Sequence, residues 1–375
     1  ANTISATGQF NFIGSGWGND ITINAYNAVL VGGKDNDNAA SYAFIGGGEL
    51  CSIASGADHS VVVGGYNNDI TSTGDDNFIG GGNGCGIGGT ALSAVVVGGL
   101  NTDADANYSF AGGGQNCSIA AGADHSVIVG GNNNDITSTG HDNFIGGGNL
   151  NQITGTTTLS VVVGGYQNTI SGVGGSIGGG NSNDITAGTG GTIVGGYTGT
   201  VSSSYGTVLG GLENESASQY SSASGYQATT RALRGAVANA NGQESAVGDR
   251  QTRSVVMRRQ TTTDTFLSLT SDGGADSASD TFQQPENSLA SLTWTVIGLQ
   301  STGAKAAQYT VKALVKRYTA TTSILLNSVT ADFEDDATWD CQVIAYSLGA
   351  TVQAKGASGE TVNWCAKLES VEVVN

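Results

Sequence analysis

Cations are almost missing from the first two-thirds of this chain. Residues 1–230 hold one basic side chain, Lys34, against 16 carboxylates, a net charge of −15. A protein that grips phosphates needs a basic footprint, so nucleic-acid binding is excluded. Proline is nearly absent as well, with Pro285 alone in 375 residues, whereas glycine supplies 61. Dense glycine without proline rules out a collagen helix, and it argues against α-helices, where each glycine costs up to ~1 kcal/mol. No apolar run approaches the ~18 residues that cross a bilayer, so no membrane insertion is expected. No charged–apolar–small leader opens the sequence, and no signal peptide is expected. The five cysteines, Cys51, Cys85, Cys117, Cys341 and Cys365, form neither a CxxC pair nor a metal-type cluster. Their odd number and wide spacing read as mostly free, buried thiols.

What is abundant is repetition. Residues 51–83 read CSIASGADHSVVVGGYNNDITSTGDDNFIGGGN, and residues 117–149 match them at 29 of 33 positions with an offset of 66. Inside that long period lies a short one. Glycines at 32, 47, 64, 81, 98, 113, 130, 147, 164, 179, 195, 210 and 225 follow one another at spacings of 15, 16 or 17. Two residues before each anchor stands an apolar residue, as in Leu30, Ile45, Val62 and Ile79; six after it stands another, as in Ile53, Ile70 and Ile87. Apolar positions flanked by polar ones or glycine mark two short strands per rung. The pattern predicts an all-β shaft, a parallel β-roll or β-solenoid of about 14 rungs, ~65–70 Å long at the usual strand spacing.

Other columns carry further expectations. Four after the anchor stands Asn19, Asn36, Asn68, Asn134, Asn151, Asn168, Asn183 or Asn214, with Cys51, Cys85 and Cys117 in three rungs. This reads as an amide ladder in which cysteine substitutes as a small buried residue. Three before the anchor Phe and Val alternate from Phe12 to Val161, and one before it Gly and Val alternate in antiphase, from Gly14 to Val163. Both columns flank the inward one, so they face outward. A continuous apolar stripe predicts self-association along the rod, and large-with-small alternation suggests interdigitation with a copy of itself.

Residues 221–228, SSASGYQA, resemble the head repeats of YadA-type trimeric autotransporter adhesins, and the GGxNNxI and FIGGGN rungs resemble a longer-looped version seen in viral fibre-like proteins. The resemblance spans about residues 10–250 and implies a left-handed parallel β-roll in a homotrimer. From about residue 260 amphipathic β runs replace the glycine repeat and read as an antiparallel β-sandwich. The runs WTVIGLQSTGAKAAQYTVKALVKR and GETVNWCAKLESVEV resemble the C-terminal domain of phage tail-fibre-like proteins. The organisation expected is an N-terminal segment 1–12, a shaft 13–242, a neck 243–260 and a tip 261–375. In the neck, arginines beginning at Arg231 are expected to pair with Glu244 and Asp249 across protomers.

The resemblance implies a receptor-binding tail fibre on a virion, attached through its N-terminus to a tail or baseplate protein and engaging a host cell-surface glycan or protein. The alternatives are a tailspike depolymerase and a bacterial surface adhesin or filament outside the cell. No catalytic residue stands out, so a non-enzyme is expected. Receptor contact is placed on Glu334, Asp335 and Asp336 with Trp339, Tyr346 and Tyr318, because amphipathic rings stack on sugars. Trp294 and Trp364 are expected in the core. No cofactor is expected. Calcium is the minor alternative, since GGYNNDIT resembles a calcium-binding nonapeptide, but its aspartates, including Asp20, Asp37, Asp69, Asp103, Asp135 and Asp184, recur mostly on alternate rungs. His59 and His125, beside Asp58 and Asp124, are expected to be rim residues without a catalytic role.

Overall fold

The computed structural model describes all residues except 23, 243–247, 249, 278, 279 and 375. It is all-β and forms two compact units, Ala1–Gly190 and Gly191–Asn375.

In the first unit every rung contributes two strands of two residues each, and each strand pairs in parallel with its counterpart one rung on. Phe44–Ile45 pairs with Val61–Val62, which pairs with Phe78–Ile79, so the short sequence period is the register itself. Strands this short survive only because stacking satisfies their backbone: Val61 and Val63 donate to Asn77 O and Ile79 O. Ile45, Val62, Ile79, Ile53, Ile70 and Ile87 fill the interior without exposure.

The amide ladder is present and is bonded in three directions. Asn151 Nδ2 donates to Gly147 O (2.8 Å) and Gly165 O (3.1 Å), while its Oδ1 accepts the Asn168 amide at 3.0 Å. Cys51, Cys85 and Cys117 occupy the same buried column, with the Cys85 sulfur 3.6 Å from Gly99 O. The paired glycines make room for this ladder. A Cβ on Gly65, whose φ is +101°, would lie 2.4 Å from both Asn68 Nδ2 and Gly82 O. A second, sparser ladder was not anticipated: Asn77 Nδ2 donates to Gly74 O and Ala91 O, and its Oδ1 accepts the Ala94 amide.

The Phe/Val columns face outward to different degrees: Phe44, Phe78 and Phe110 and the valines from Val31 to Val163 are exposed, Val163 to 56 %, whereas Val29, Val61, Val95, Val127, Phe144 and Val161 are half-buried. The alternating glycine also has an origin within the chain. A Cβ on Gly80 would meet Val97 O at 2.5 Å and the Phe78 ring at 3.3 Å, so each phenylalanine lies over its own glycine.

The second unit begins with turns of the same kind. Strand Ser222–Tyr226 pairs in parallel with Val237–Asn241, which pairs antiparallel with Arg250–Thr261. That strand opens a large antiparallel sheet in the order Arg250–Thr261, Val362–Val374, Ser288–Gln300, Ala306–Tyr318, Thr321–Glu334. A smaller sheet, built on Gly349–Lys355, shares its apolar core with it. Burial alternates strictly along Val362–Val374, as one covered face demands. Trp294 and Trp364 lie in this core, as expected.

The segment read as a neck is corrected in part. Glu244 and Asp249 lie outside the described residues. Arg231 and Arg253 instead pair with the buried carboxylate of Glu372 in the same chain, and Arg234 pairs with Asp280. Arg253 also lies 4.5 Å over the Phe282 ring.

Candidate functional site

The six residues assigned to receptor contact do not meet at one place. Glu334 ends a 14-residue strand whose first residue, Thr321, pairs with Tyr318. At ~3.3 Å per residue the acidic loop and Tyr318 lie ~40 Å apart.

At the acidic end Lys305 is the organising cation. Its Nζ donates to Asp336 Oδ2 at 2.6 Å and to Glu360. Thr338 donates its amide and hydroxyl to Asp336 Oδ1, so this carboxyl is held far below the usual range, chiefly by the Lys305 and Thr338 hydrogen bonds. Asp335 Oδ2 accepts the Ala306 amide, and Glu334 accepts the Tyr309 hydroxyl at 3.0 Å. Burial, together with that neighbouring carboxylate, pushes the Tyr309 hydroxyl well up. Trp339 is the correction here: at 1 % exposure its ring packs edge-on to Trp364 (5.5 Å) and cannot receive a sugar. Its Nε1 donates to Glu360. Lys305 and Glu360, which complete this cluster, were missed because they stand far from Asp336 in the sequence, on either side of it, with no local motif to join them.

At the other end Tyr318 is 65 % exposed and walls a cleft of about 530 Å³ with Asn287, Leu289, Lys316, Leu325 and Val373. Its lining is mostly apolar and includes the Lys316 ammonium and the Asn287 amide, a surface suited to the mixed faces of a saccharide. Tyr346 is not part of it. Its hydroxyl donates to Phe282 O, and burial pushes it up to about 12.

In the first unit the aspartate column is partly corrected: Asp20 and Asp37 sit in direct register on adjacent strands. Burial raises Asp37, Asp103, Asp135 and Asp184 above the ordinary carboxyl value. Among the described residues no three metal-ligating side chains stand together. His59 and His125 stand on the rim as expected, yet they are not isolated. Each stacks on a tyrosine of the preceding rung, Tyr42 (5.0 Å) and Tyr108 (5.1 Å). Those tyrosines share the long offset of the duplicated segments but lie just upstream of them, and extending the repeat comparison in that direction would have found them.

No family model matches the chain, and no curated protein does. Among solved structures it is similar to the tailspike protein of Acinetobacter baumannii phage AM24, at 7 % identity and a TM-score of 0.22, over 88 % of this chain and 68 % of that one. It is also similar to tailspike protein gp49 of Acinetobacter baumannii bacteriophage Fri1, at 9 % identity and a TM-score of 0.25, over 96 % and 69 %. The second is described as a capsular polysaccharide depolymerase. The expectation of a non-enzyme is corrected on that finding.

Proposed function

We propose that the chain is a viral tail appendage of tailspike type, working at the virion surface on a host cell-surface polysaccharide. The observation that carries this reading is the Tyr318 cleft, an exposed aromatic wall with Lys316 and Asn287 beside it, in the antiparallel unit that follows the repetitive β rungs. The organisation is a segment 1–12, a shaft 13–242 and a tip whose large sheet opens with Arg250–Thr261 rather than after a neck ending at residue 260, with the N-terminus toward a tail or baseplate protein. Three copies associate through the exposed Phe/Val columns, whose apolar surface is costly in water. Three modest sites on one trimer then act together, gaining avidity without a strong single contact.

The polysaccharide is bound, and cleavage belongs to the same reading. Glycoside hydrolysis uses two carboxyl groups, one of them able to give up a proton. The loop supplies Glu334 and Asp335, which unlike Asp336 and Glu360 are not held by Lys305. The test incubates the full-length chain and its Tyr318→Ala variant with a panel of encapsulated bacterial strains and their purified capsules. Binding that falls at least fivefold in the variant supports the reading, and released oligosaccharides that disappear with Glu334→Gln or Asp335→Asn assign the acids. Equal binding by both proteins overturns the Tyr318 cleft.

A further inference from the structure

The corner of each rung five residues before the anchor glycine has positive φ in rung after rung: Asn27 (+54°), Tyr42 (+57°), His59 (+57°), Asp76 (+63°), then Ser93 (+53°), Tyr108 (+54°), His125 (+55°) and Asp142 (+60°). Asparagine, aspartate and glycine take this backbone cheaply, whereas a ring there costs strain. The sequence accepts that cost twice, in the same order, with Tyr–His–Asp on three consecutive rungs in each copy of the long repeat. Backbone bonds hold the line in place: His59 N donates to Ser41 O and His125 N to Asn107 O. Stacking within each Tyr–His pair returns part of the strain. It does not explain why the column turns to carboxylate on the third rung, or why the set is duplicated.

Each set presents a hydroxyl, an imidazole and a carboxylate in a row. Among the described residues neither Tyr42 nor Tyr108 has a hydrogen bond from its hydroxyl, and Tyr108 is 51 % exposed. The neighbouring acids are already engaged, since Asp58 accepts the Ser41 amide and Asp124 the Asn107 amide. That leaves Asp76 and Asp142 facing outward, the latter with His141 at 2.6 Å. Around His125 the surface sinks into a cleft of about 460 Å³ lined by Gly122, Asp124, Thr139, His141 and Asp142. The charge around these rows excludes an anionic ligand: the only lysine of the first unit, Lys34, is paired with Glu49 at 2.7 Å. Hydroxyls and amines are what the row can recognise.

We propose that the two Tyr–His–Asp rows are saccharide subsites for a glycan of neutral and amino sugars, and that uronic-acid polymers are refused. The inference rests on the glycan reading above and deepens it by naming the sugar class. Four rungs separate the rows, ~19 Å at the usual strand spacing, so one oligosaccharide spans both and gains from the second contact.

The chain contains three histidines, so three imidazole signals report on the rim. The experiment titrates full-length, histidine-labelled protein with partially deacetylated chitohexaose, and in parallel with hexagalacturonate, by NMR. The His59 and His125 signals shift with the first and not with the second, and chitohexaose binds at least tenfold tighter than chitobiose. Tyr108→Ala removes the His125 response and leaves that of His59, which also shows that the variant is folded. Silent signals, equal shifts with hexagalacturonate, or shifts that persist in a Tyr42→Ala, Tyr108→Ala double variant overturn the proposal. Loss of cell binding in Tyr318→Ala with a silent rim would leave the glycan reading intact and remove this one alone.

Discussion

Asn151 offers the sharpest test of how the rungs are held. It is fully buried, and Asn151→Ala strands two groups: the Asn168 amide, which loses its Oδ1 acceptor, and Gly147 O, which loses its Nδ2 donor. Gly165 O keeps the Asn149 amide and is spared. At roughly 1–3 kcal/mol for each orphaned group, the substitution costs about 2–6 kcal/mol. Asn151→Cys should cost less, because the chain itself uses cysteine in this column. There the next ladder amide works against the rise that burial gives the thiol, Asn68 on Cys51 and Thr102 on Cys85, so a sulfur in this column stands near the N–H that Oδ1 otherwise serves. Thermal melting of the full-length variants, with amide exchange at Asn168 as the local reading, ranks Asn151→Ala well below Asn151→Cys. If cysteine is as damaging as alanine, the hydrogen-bond account of the ladder is wrong and the column is held by side-chain volume alone.

Three further outcomes follow from the same structure. Phe44→Asp and Val63→Asp change exposed columns, so light scattering should show the proposed trimer dissociating while the melt stays nearly unchanged; Ile136→Asp, which loses roughly 2–3 kcal/mol of burial and strands a charge, unravels its rungs instead. Burial raises Asp37, Asp103, Asp135 and Asp184, and a carboxyl raised on folding favours the fold below its unfolded value and loses that contribution as pH climbs through the folded one, so amide protection in residues 30–190 should rise from pH 7 to pH 4. Trp339→Ala opens a core cavity at about 3–5 kcal/mol and lowers the melting temperature, whereas Tyr318→Ala changes glycan binding without touching it.

The rungs were legible in the sequence because each interior position is under one physical demand repeated many times. An inward strand position is apolar in nearly every rung, as at Ile70 and Ile136, or else bonded within the interior, as Asn38 is to Ala43 O, and a ladder position must bridge its neighbours, as at Asn68 and Asn134. The tip was legible only as alternation. Period-two burial identifies Trp364 as inward, but it cannot say that the loop carrying Trp339 folds back under the same core. Nor could spacing reveal that Tyr318 and Glu334 sit at opposite ends of a paired strand, since the bulges at Gln308/Tyr309 and Leu314/Val315 and the hairpin register decide that. The buried Arg231–Glu372–Arg253 group was hidden for the same reason, because its members are brought together from distant parts of the sequence by the Arg250–Thr261 and Val362–Val374 pairing.

The contrast between columns also says where such a chain can vary. Replacing Gly65 or Gly80 drives a Cβ into a neighbouring carbonyl, and replacing Asn151 strands its partners, so these positions are fixed by every rung above and below. The positive-φ corner is fixed only in its backbone. It already carries Asn27, Tyr42, His59, Asp76, Ser93 and Leu159 on one unchanged hydrogen-bond pattern, His59 N to Ser41 O being repeated as Asp76 N to Asp58 O. Side chains there can be exchanged for the cost of αL strain alone, about 1–2 kcal/mol per non-glycine residue and less for Asn or Asp. A surface of that kind separates recognition from folding: chemistry presented to a ligand changes residue by residue while the ladder beneath it stays constant.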